Sequence, residues 1–245
     1  MTVSTSCASA HPADAEFLAS RILGRKDLGG GLVLVEIETP AGAATSYSSP
    51  GQYIKIRIQG ESAYYVLANE PGADRWNLIL RAGGRVSNLL LTAPLRTTLG
   101  ATRPIGNGFP MAEARGRSLV VALGGTGIAV GRPVIRRRIA EGDASRTLVL
   151  VGIRSYADLA MHEDLIGWSQ AGTHVVVCLS HVETASAEVR EFAVERGYVH
   201  EILRSKQASI AGGTLFAAGP EPMVTALRAS APEVGIALSD LHTNH

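Results

Sequence analysis

Hydrophobic and polar residues alternate at three places in the first half of the chain. In Leu32–Thr39, Val33, Val35 and Ile37 share one face. In Gln52–Ile58, Ile54, Ile56 and Ile58 stand opposite Tyr53, Lys55 and Arg57, and Asn77–Arg81 is a third, shorter run. A period of two is that of a half-buried strand. The turn signals Gly29-Gly30-Gly31, Pro50-Gly51 and Pro71-Gly72 separate these runs. Short alternating strands at this spacing predict an antiparallel barrel or sandwich.

From about Ser118 the pattern changes. Continuous apolar runs occur at 118–123, 147–152, 174–179 and 214–218. Between them lie segments of helical pattern, Ala129–Glu141, Tyr156–Gln170 and Ala187–Gly197. The second of these opens on Ser155-Tyr-Ala-Asp158, a capping box with Asp in place of Glu. Strands alternating with helices predict βαβ units and a parallel sheet. The expected fold is therefore two-domain, an antiparallel β-barrel followed by a parallel α/β domain. The boundaries expected are 1–15 as a disordered segment, 16–114 as the barrel and 115–245 as the α/β domain, with Glu113–Arg117 as the joint.

Candidate chemistry sits where strands end in glycine. Leu119–Leu123 runs into Gly124-Gly125-Thr126-Gly127 and then a helical segment. Backbone N–H groups of such a turn converge on one point, and the helix dipole adds partial positive charge there, which suits a phosphate. The spacing, with Gly131, is GxGxxxG, looser than the dinucleotide fingerprint. The acid that would hold a ribose is replaced by Arg154 after the next strand. A tight strand–helix connection that binds nothing has the same look. Two further turns tip the balance. Thr214–Met223 reads as a strand, then Gly219-Pro220-Glu221-Pro222, then a helix start, and Gly83-Gly84-Arg-Val-Ser87 follows a strand in the first half. In a parallel sheet such turns lie at the carboxyl ends of strands, where ligands bind.

Composition narrows the class. The chain has 245 residues, 46% hydrophobic and 18% charged, with a net charge of +1. That is enough to bury a sizeable core, and no global charge points to nucleic acid or a membrane surface. No basic start followed by an apolar block marks a signal peptide, and no apolar run reaches spanning length. A cytoplasmic protein is expected. Two cysteines, Cys7 and Cys178, support neither a disulfide framework nor a four-cysteine iron–sulfur site.

Taken in order, several motifs resemble the ferredoxin–NADP reductase superfamily over most of the chain, from about Phe17 onward. They are Pro50-Gly-Gln-Tyr53, Tyr65-Val-Leu-Ala-Asn69, Gly83-Gly84-x-x-Ser87, Pro104-Ile-Gly-Asn-Gly-Phe109, Gly124-Gly-Thr-Gly-Ile-Ala129, Gly152-Ile-Arg154 and Ala218-Gly-Pro-Glu-Pro-Met223. The resemblance implies a flavin-binding barrel and a pyridine-nucleotide domain. It implies an NAD(P)H-dependent oxidoreductase holding FAD, with hydride transfer between nicotinamide and flavin and electrons passed to a separate acceptor. That acceptor would be a ferredoxin-like protein, an oxygenase component or a small molecule. By the resemblance, Tyr65, Val66 and Leu67 line the flavin, and Gly83, Gly84, Val86 and Ser87 cradle its pyrophosphate. Gly125, Thr126 and Gly127 lie between flavin and nicotinamide nucleotide, with Thr126 as the positioning residue at the reacting centre. Gly152, Arg154, Ser180, Gly219, Pro220 and Met223 surround the nucleotide.

Three positions depart from the family pattern. The arginine that pairs with flavin phosphate falls on Ala63, the serine near flavin N5 on Val66, and the cysteine facing the nicotinamide on Ala218. Arg57, Arg75, Arg81 and Arg85 are candidates to replace the missing arginine. Ser180-His181 stands where NADP-specific members carry serine–arginine. Neutral histidine lacks the guanidinium fork, so NADH is favoured over NADPH, with Arg154 arguing the other way. The alternative is a flavin-poor or non-catalytic binding or regulatory protein, or an electron-transfer subunit of a larger complex. Other residues take plain readings. Arg136-Arg137-Arg138 reads as a solvated helix face or a dock for an acidic partner, Cys178 as core packing, His162-Glu163 as part of a helix and His242–His245 as a tail. No metal is expected.

Overall fold

The computed structural model describes residues 16–181 and 191–244. The expectation of disorder for the first 15 residues falls outside them. So do Cys7, the start of the Ala187–Gly197 segment and His245.

Twelve strands form two six-stranded sheets. In the first half β1 (Leu18–Asp27), β2 (Leu32–Glu38), β3 (Tyr53–Ile58), β4 (Glu61–Val66), β5 (Arg75–Arg81) and β6 (Thr98–Ala101) run in the order β4-β3-β6-β1-β2-β5. Every pairing is antiparallel. Helix α1 (Arg85–Thr92) follows β5. The alternation of β2 and β3 does what it predicts. Val35, Ile37, Ile54, Ile56 and Ile58 are buried in one cluster with Trp76 and Leu78.

Helix α2 (Met111–Ala114) carries the chain across the predicted joint. Strands β7 (Leu119–Gly124), β8 (Thr147–Ile153), β9 (His174–Leu179), β10 (Ala193–Arg196), β11 (Thr214–Ala218) and β12 (Leu241–Thr243) then form a parallel sheet ordered β10-β9-β8-β7-β11-β12. Helices α3 (Ile128–Ala140), α4 (His162–Gln170), α5 (Val199–Ser205), α6 (Gln207–Ile210) and α7 (Glu221–Ser230) connect them. The expected fold class, an antiparallel barrel followed by a parallel α/β domain, holds.

Four details differ from the sequence reading. The segment expected as a helix ends as β10, because Ala193–Arg196 pairs with Val176–Leu179 of β9. The Tyr156–Gln170 helix is broken: Ser155 and Asp158 close only a single 3-10 turn, the Asp158 carboxylate accepting the Ser155 N–H at 3.1 Å. The chain then passes through Met161 at φ +57 before α4 begins. The C-terminal stretch is not a loose tail, since Leu241–Thr243 pairs with β11. Finally, the arginine run is a solvated face only in part. Arg138 is fully buried, while Arg136 pairs with Glu70 and Asp164 and Arg137 with Glu141.

One core spans both halves. Leu32, Ala68 and Ile79 of the barrel pack in the same cluster as Leu123, Ile128 and Val134. The β1–β2 turn seals the seam. Leu28 accepts the Met161 N–H at 2.7 Å, Gly29 bridges Ala160, and a Cβ on Gly29 would lie 2.9 Å from the Leu159 carbonyl. The Gly29–Gly31 run is thus a docking surface as well as a turn.

Cys178 is buried in β9, and burial pushes its thiol up to about 12. A raised native value means that this contribution to stability is complete below the unfolded thiol's value and is lost as pH rises above about 9. Cys178 is therefore expected to resist a thiol reagent in the native protein and react on unfolding, read by peptide mapping after labelling. Labelling at the native rate of a free thiol contradicts this burial.

Candidate functional site

Strand order locates the site. The chain adds β8, β9 and β10 on one side of β7, then returns to place β11 and β12 on the other. The carboxyl ends of β7 and β11 therefore form the switch point of the sheet, where a crevice opens. Both glycine turns named from the sequence lie there. Leu123 and Ala218 pair at the last rungs of β7 and β11, and Gly124–Gly127 and Gly219–Met223 follow.

The glycines of this edge divide into two kinds. Gly127, Gly131 and Gly219 are needed for packing. A Cβ on Gly127 would strike the Ala218 carbonyl, one on Gly131 would strike Leu123, and one on Gly219 would lie 2.5 Å from Met223 Cε. Gly131 lets α3 rest on β7, which explains its place in the GxGxxxG spacing. Gly125 is different: it has φ +54, is exposed, and nothing approaches the position of its absent Cβ. Thr126 beside it is exposed. Its 3-10 turn opens α3, and the Ile128 N–H donates back to the Gly125 carbonyl.

Along the same edge, Gly152 is the penultimate residue of β8, and a Cβ there would lie 2.6 Å from Val199 at the start of α5. Arg154 is exposed, and its carbonyl accepts the His181 N–H at 2.9 Å, while Ser180 donates its N–H to Ile153 at 3.1 Å. Arg154 and Ser180 thus leave neighbouring strand ends together. Pro220 is exposed and Met223 half-buried against Gly124. One residue escaped the sequence reading. Tyr198 is 56% exposed, caps α5 and stacks on His200 with centroids 5.8 Å apart. An aromatic preceding a short helix leaves no periodic signal, so only its place next to Val199, which approaches Gly152, marks it.

On the barrel, Tyr65 and Ser87 are brought together, their hydroxyls 2.9 Å apart. Burial raises the Tyr65 pKa and the Ser87 contact opposes that shift. Gly84 is the N-cap of α1, no side chain caps this helix, and no acid occupies its first turn. The N–H groups of Arg85, Val86 and Ser87 thus face outward with the Ser87 hydroxyl, a donor set matched to a pyrophosphate. Gly83 adopts φ +128 and gives its own N–H to Asn88 at 3.0 Å. The residues present fit that group.

Leu67 and Val86 are buried in the barrel core, and the Leu67 N–H is used by Gln52. Their side chains are structural, and Val86 has only its backbone to offer. Val66 points the other way, into the cluster that holds Ile128 and Ala129. Across the seam it is β5 that touches the Gly125–Gly127 turn, with Val66 packed against the same shared core.

The four candidate cations are differently placed. Arg57 lies over the Phe17 ring, Arg75 pairs with Glu36 and Arg81 lies against Gly31. Arg85, on the first turn of α1, pairs with Glu61 at 2.8 Å with most of its side chain exposed. It is the one cation of the four on the phosphate cradle itself. Among the described residues no cluster of His, Cys, Asp or Glu could hold a metal, and no helix is long and apolar enough to cross a membrane.

Comparison with known proteins agrees with this geometry. A family model, the oxidoreductase NAD-binding domain, matches residues 121–229. Sulfhydrogenase 2 subunit gamma of Pyrococcus furiosus is 26% identical over 71% of this chain and 63% of its own length. The electron transfer subunit of dihydroorotate dehydrogenase B (NAD+) of Shouchella clausii is 29% identical over 74% of this chain and 66% of its own. The chain thus spans just under two thirds of these relatives. Among solved structures, an Amycolatopsis cytochrome P450 reductase superposes with a TM-score of 0.80 at 22% identity, covering 98% of this chain and 73% of the other. A ferredoxin NADP+ reductase from Neisseria gonorrhoeae, solved with FAD and NADP bound, gives 0.75 at 16% identity, covering 94% and 98%. Residues 121–229 are thus similar to the oxidoreductase NAD-binding domain, and the chain as a whole shares its fold with these solved reductases.

Proposed function

We propose that this protein is an NAD(P)H-dependent flavin oxidoreductase that passes electrons to a separate acceptor. The observation that carries the reading is the core shared across the seam, where Val66 at the end of β4 packs against the cluster that also holds Ile128 and Ala129 at the start of α3.

FAD, when bound, supplies a carrier that takes up a hydride and releases electrons. The chain's own residues do the rest. The N–H groups of α1 and the Ser87 hydroxyl hold the pyrophosphate, and Tyr65 fixes Ser87. Val66 offers its backbone and an apolar wall that keeps water from the seam. Gly125 and Gly127 take the nucleotide phosphates, and Thr126 orients the ring. Arg154, Ser180, Gly152, Gly219, Pro220 and Met223 border the remainder of the nucleotide, with Tyr198 as a stacking face. His181 at the ribose end favours NADH. The 16–114 and 115–245 units are the flavin and nucleotide halves, and the setting is the cytoplasm. The acceptor is a ferredoxin-like protein or an oxygenase component, in keeping with the reductase and electron-transfer relatives.

The test is direct. Purified protein is mixed with FAD, freed of unbound flavin, and its visible spectrum recorded before and after NADH. A flavin spectrum bleached by NADH supports the proposal; protein that neither retains flavin nor supports NADH-linked dye reduction overturns it. Ala63 favours the second reading, a flavin-poor protein. Ala63 lies on the Tyr65 side of β4, so Ala63→Arg adds a charge-assisted contact toward the cradle. Flavin affinity is expected to rise about ten- to a hundredfold, equivalent to about 1.5–3 kcal/mol, read by fluorescence titration. No gain in the variant means that Arg85 already fills this role.

A further inference from the structure

The two ends of the flavin cradle differ in how they hold a ligand. At the ring end the donors are backbone groups. β4 is the edge strand of its sheet. Tyr53, opposite Val66, turns its own N–H and carbonyl the other way, to Ile105 at 3.1 and 2.8 Å. Residues 53 and 66 are therefore a non-hydrogen-bonded pair, and the Val66 N–H points away from β3 to the open side of the edge. A planar heterocycle can take that N–H, and its grip needs no charge.

At the phosphate end the charges cancel. The Gly83 N–H is spent on Asn88, so the cradle offers the N–H groups of Arg85, Val86 and Ser87 and the Ser87 hydroxyl. Its one cation, Arg85, is engaged by Glu61 at 2.8 Å, and both side chains reach solvent, 83% and 43% exposed. Ala63 stands between Glu61 and Tyr65 on the same face of β4 and brings no charge. Lys55 and Arg57 lie on the opposite face, over Tyr64 and Phe17, and Arg81 turns to Gly31. An arriving pyrophosphate must draw Arg85 away from Glu61 or lie beside the Glu61 carboxylate. Either way it forgoes an uncontested charge-assisted bond, which is about ten- to a hundredfold in affinity. Within one site such losses appear mainly as faster dissociation.

We propose that flavin is a substrate of this site, entering oxidised and leaving reduced. The inference rests on the NADH–flavin reading above and changes the standing of the flavin within it. NADH gives a hydride to the oxidised flavin, solvent gives a proton, and NAD+ and dihydroflavin depart. The dihydroflavin then carries the electron pair to the acceptor. Because backbone and apolar groups hold the ring and the phosphate end carries no net side-chain charge, riboflavin, FMN and FAD all serve.

The full chain, passed through gel filtration, is assayed anaerobically with NADH and flavin in excess over protein. NADH oxidation is expected to saturate with added riboflavin, FMN or FAD, with KM for riboflavin and FAD within about tenfold of each other. Dihydroflavin well in excess of the protein is expected to pass an ultrafiltration membrane. Glu61→Gln releases Arg85 and is expected to shift the preference severalfold from riboflavin toward FAD, a ratio that a general loss of folding does not move. FAD that stays bound through filtration, with turnover indifferent to added flavin, overturns this proposal and leaves the oxidoreductase reading standing. So does a riboflavin KM more than about a hundredfold above that of FAD, or a FAD-to-riboflavin ratio unmoved in Glu61→Gln. Failure of NADH to reduce any of the three flavins overturns both.

Discussion

Arg138→Ala lowers the free energy of unfolding by about 3–5 kcal/mol, the cost of removing one member of a buried ion pair. The side chain is completely buried, and each of its nitrogens is used. Nε donates to Thr147 Oγ1 at 3.0 Å, Nη1 to the Ala114 carbonyl at 2.7 Å and to Asp143 at 2.8 Å, and Nη2 to the Arg117 carbonyl at 2.8 Å. Truncation leaves Asp143 without its charge partner and the Arg117 carbonyl without this donor, while the Ala114 carbonyl keeps only the Arg117 N–H. Burial lowers the Arg138 pKa and Asp143 opposes that shift, so the pair is favourable only while both partners are present. Arg138→Met fills part of the volume but restores none of these bonds and is expected to fall between alanine and the native residue. Denaturant unfolding gives the number directly. A loss below about 1 kcal/mol, the range of exposed pairs, contradicts the buried network.

Gly127→Ala and Gly125→Ala separate packing from ligand capture. The two sites are two residues apart in one turn. At Gly127 the backbone is helical, so alanine is conformationally acceptable, but its Cβ collides with the Ala218 carbonyl and lies 2.8 Å from the Gly219 N–H. The turns after β7 and β11 are forced apart, and the expected cost is about 1–3 kcal/mol of stability together with loss of NADH binding. At Gly125 the space is open, but φ +54 is left-handed, where a Cβ costs about 1–2 kcal/mol. The turn can relax by leaving that conformation, so NADH affinity falls while the core remains packed. Thermal unfolding and NADH titration on both variants check this. Equal stability loss with unchanged NADH affinity in Gly125→Ala removes this turn from the nucleotide site.

These two regions also differ in how readable they were. The glycine turns were legible because their function is a backbone function. A strand, a glycine cluster and a helix start occur in fixed order, and each leaves its mark in residue type. Arg138 was misread because charge dominates its local composition. Yet Val130, Val134 and Arg138, spaced by four, lie on one buried stripe of α3. The periodicity assigned Arg138 to the core face while its chemistry argued for the surface, and four acceptors decided in favour of periodicity.

The strands that escaped notice have similar causes. In β1 the register shifts between Ile22 and Gly24, and such a bulge breaks the alternation that marks a strand. In β4 two adjacent tyrosines face opposite ways, Tyr64 outward and Tyr65 toward the core. β10 is four residues of alanine, valine, glutamate and arginine, half-exposed and held by β9. Its composition favours a helix, and pairing overrides that preference. At the flavin cradle the Tyr65–Ser87 contact joins residues 22 positions apart. The motifs named both residues, but only folding supplied the hydrogen bond between them.

The shared core at the seam bears on modularity. A cut near the α2 joint would leave Leu32, Ala68 and Ile79 as an apolar scar on one fragment and Ile128 and Val134 on the other. Neither piece would behave as a free-standing cassette. Fusing or grafting the nucleotide half elsewhere therefore requires recolouring that scar with polar side chains, or carrying the barrel along as its lid.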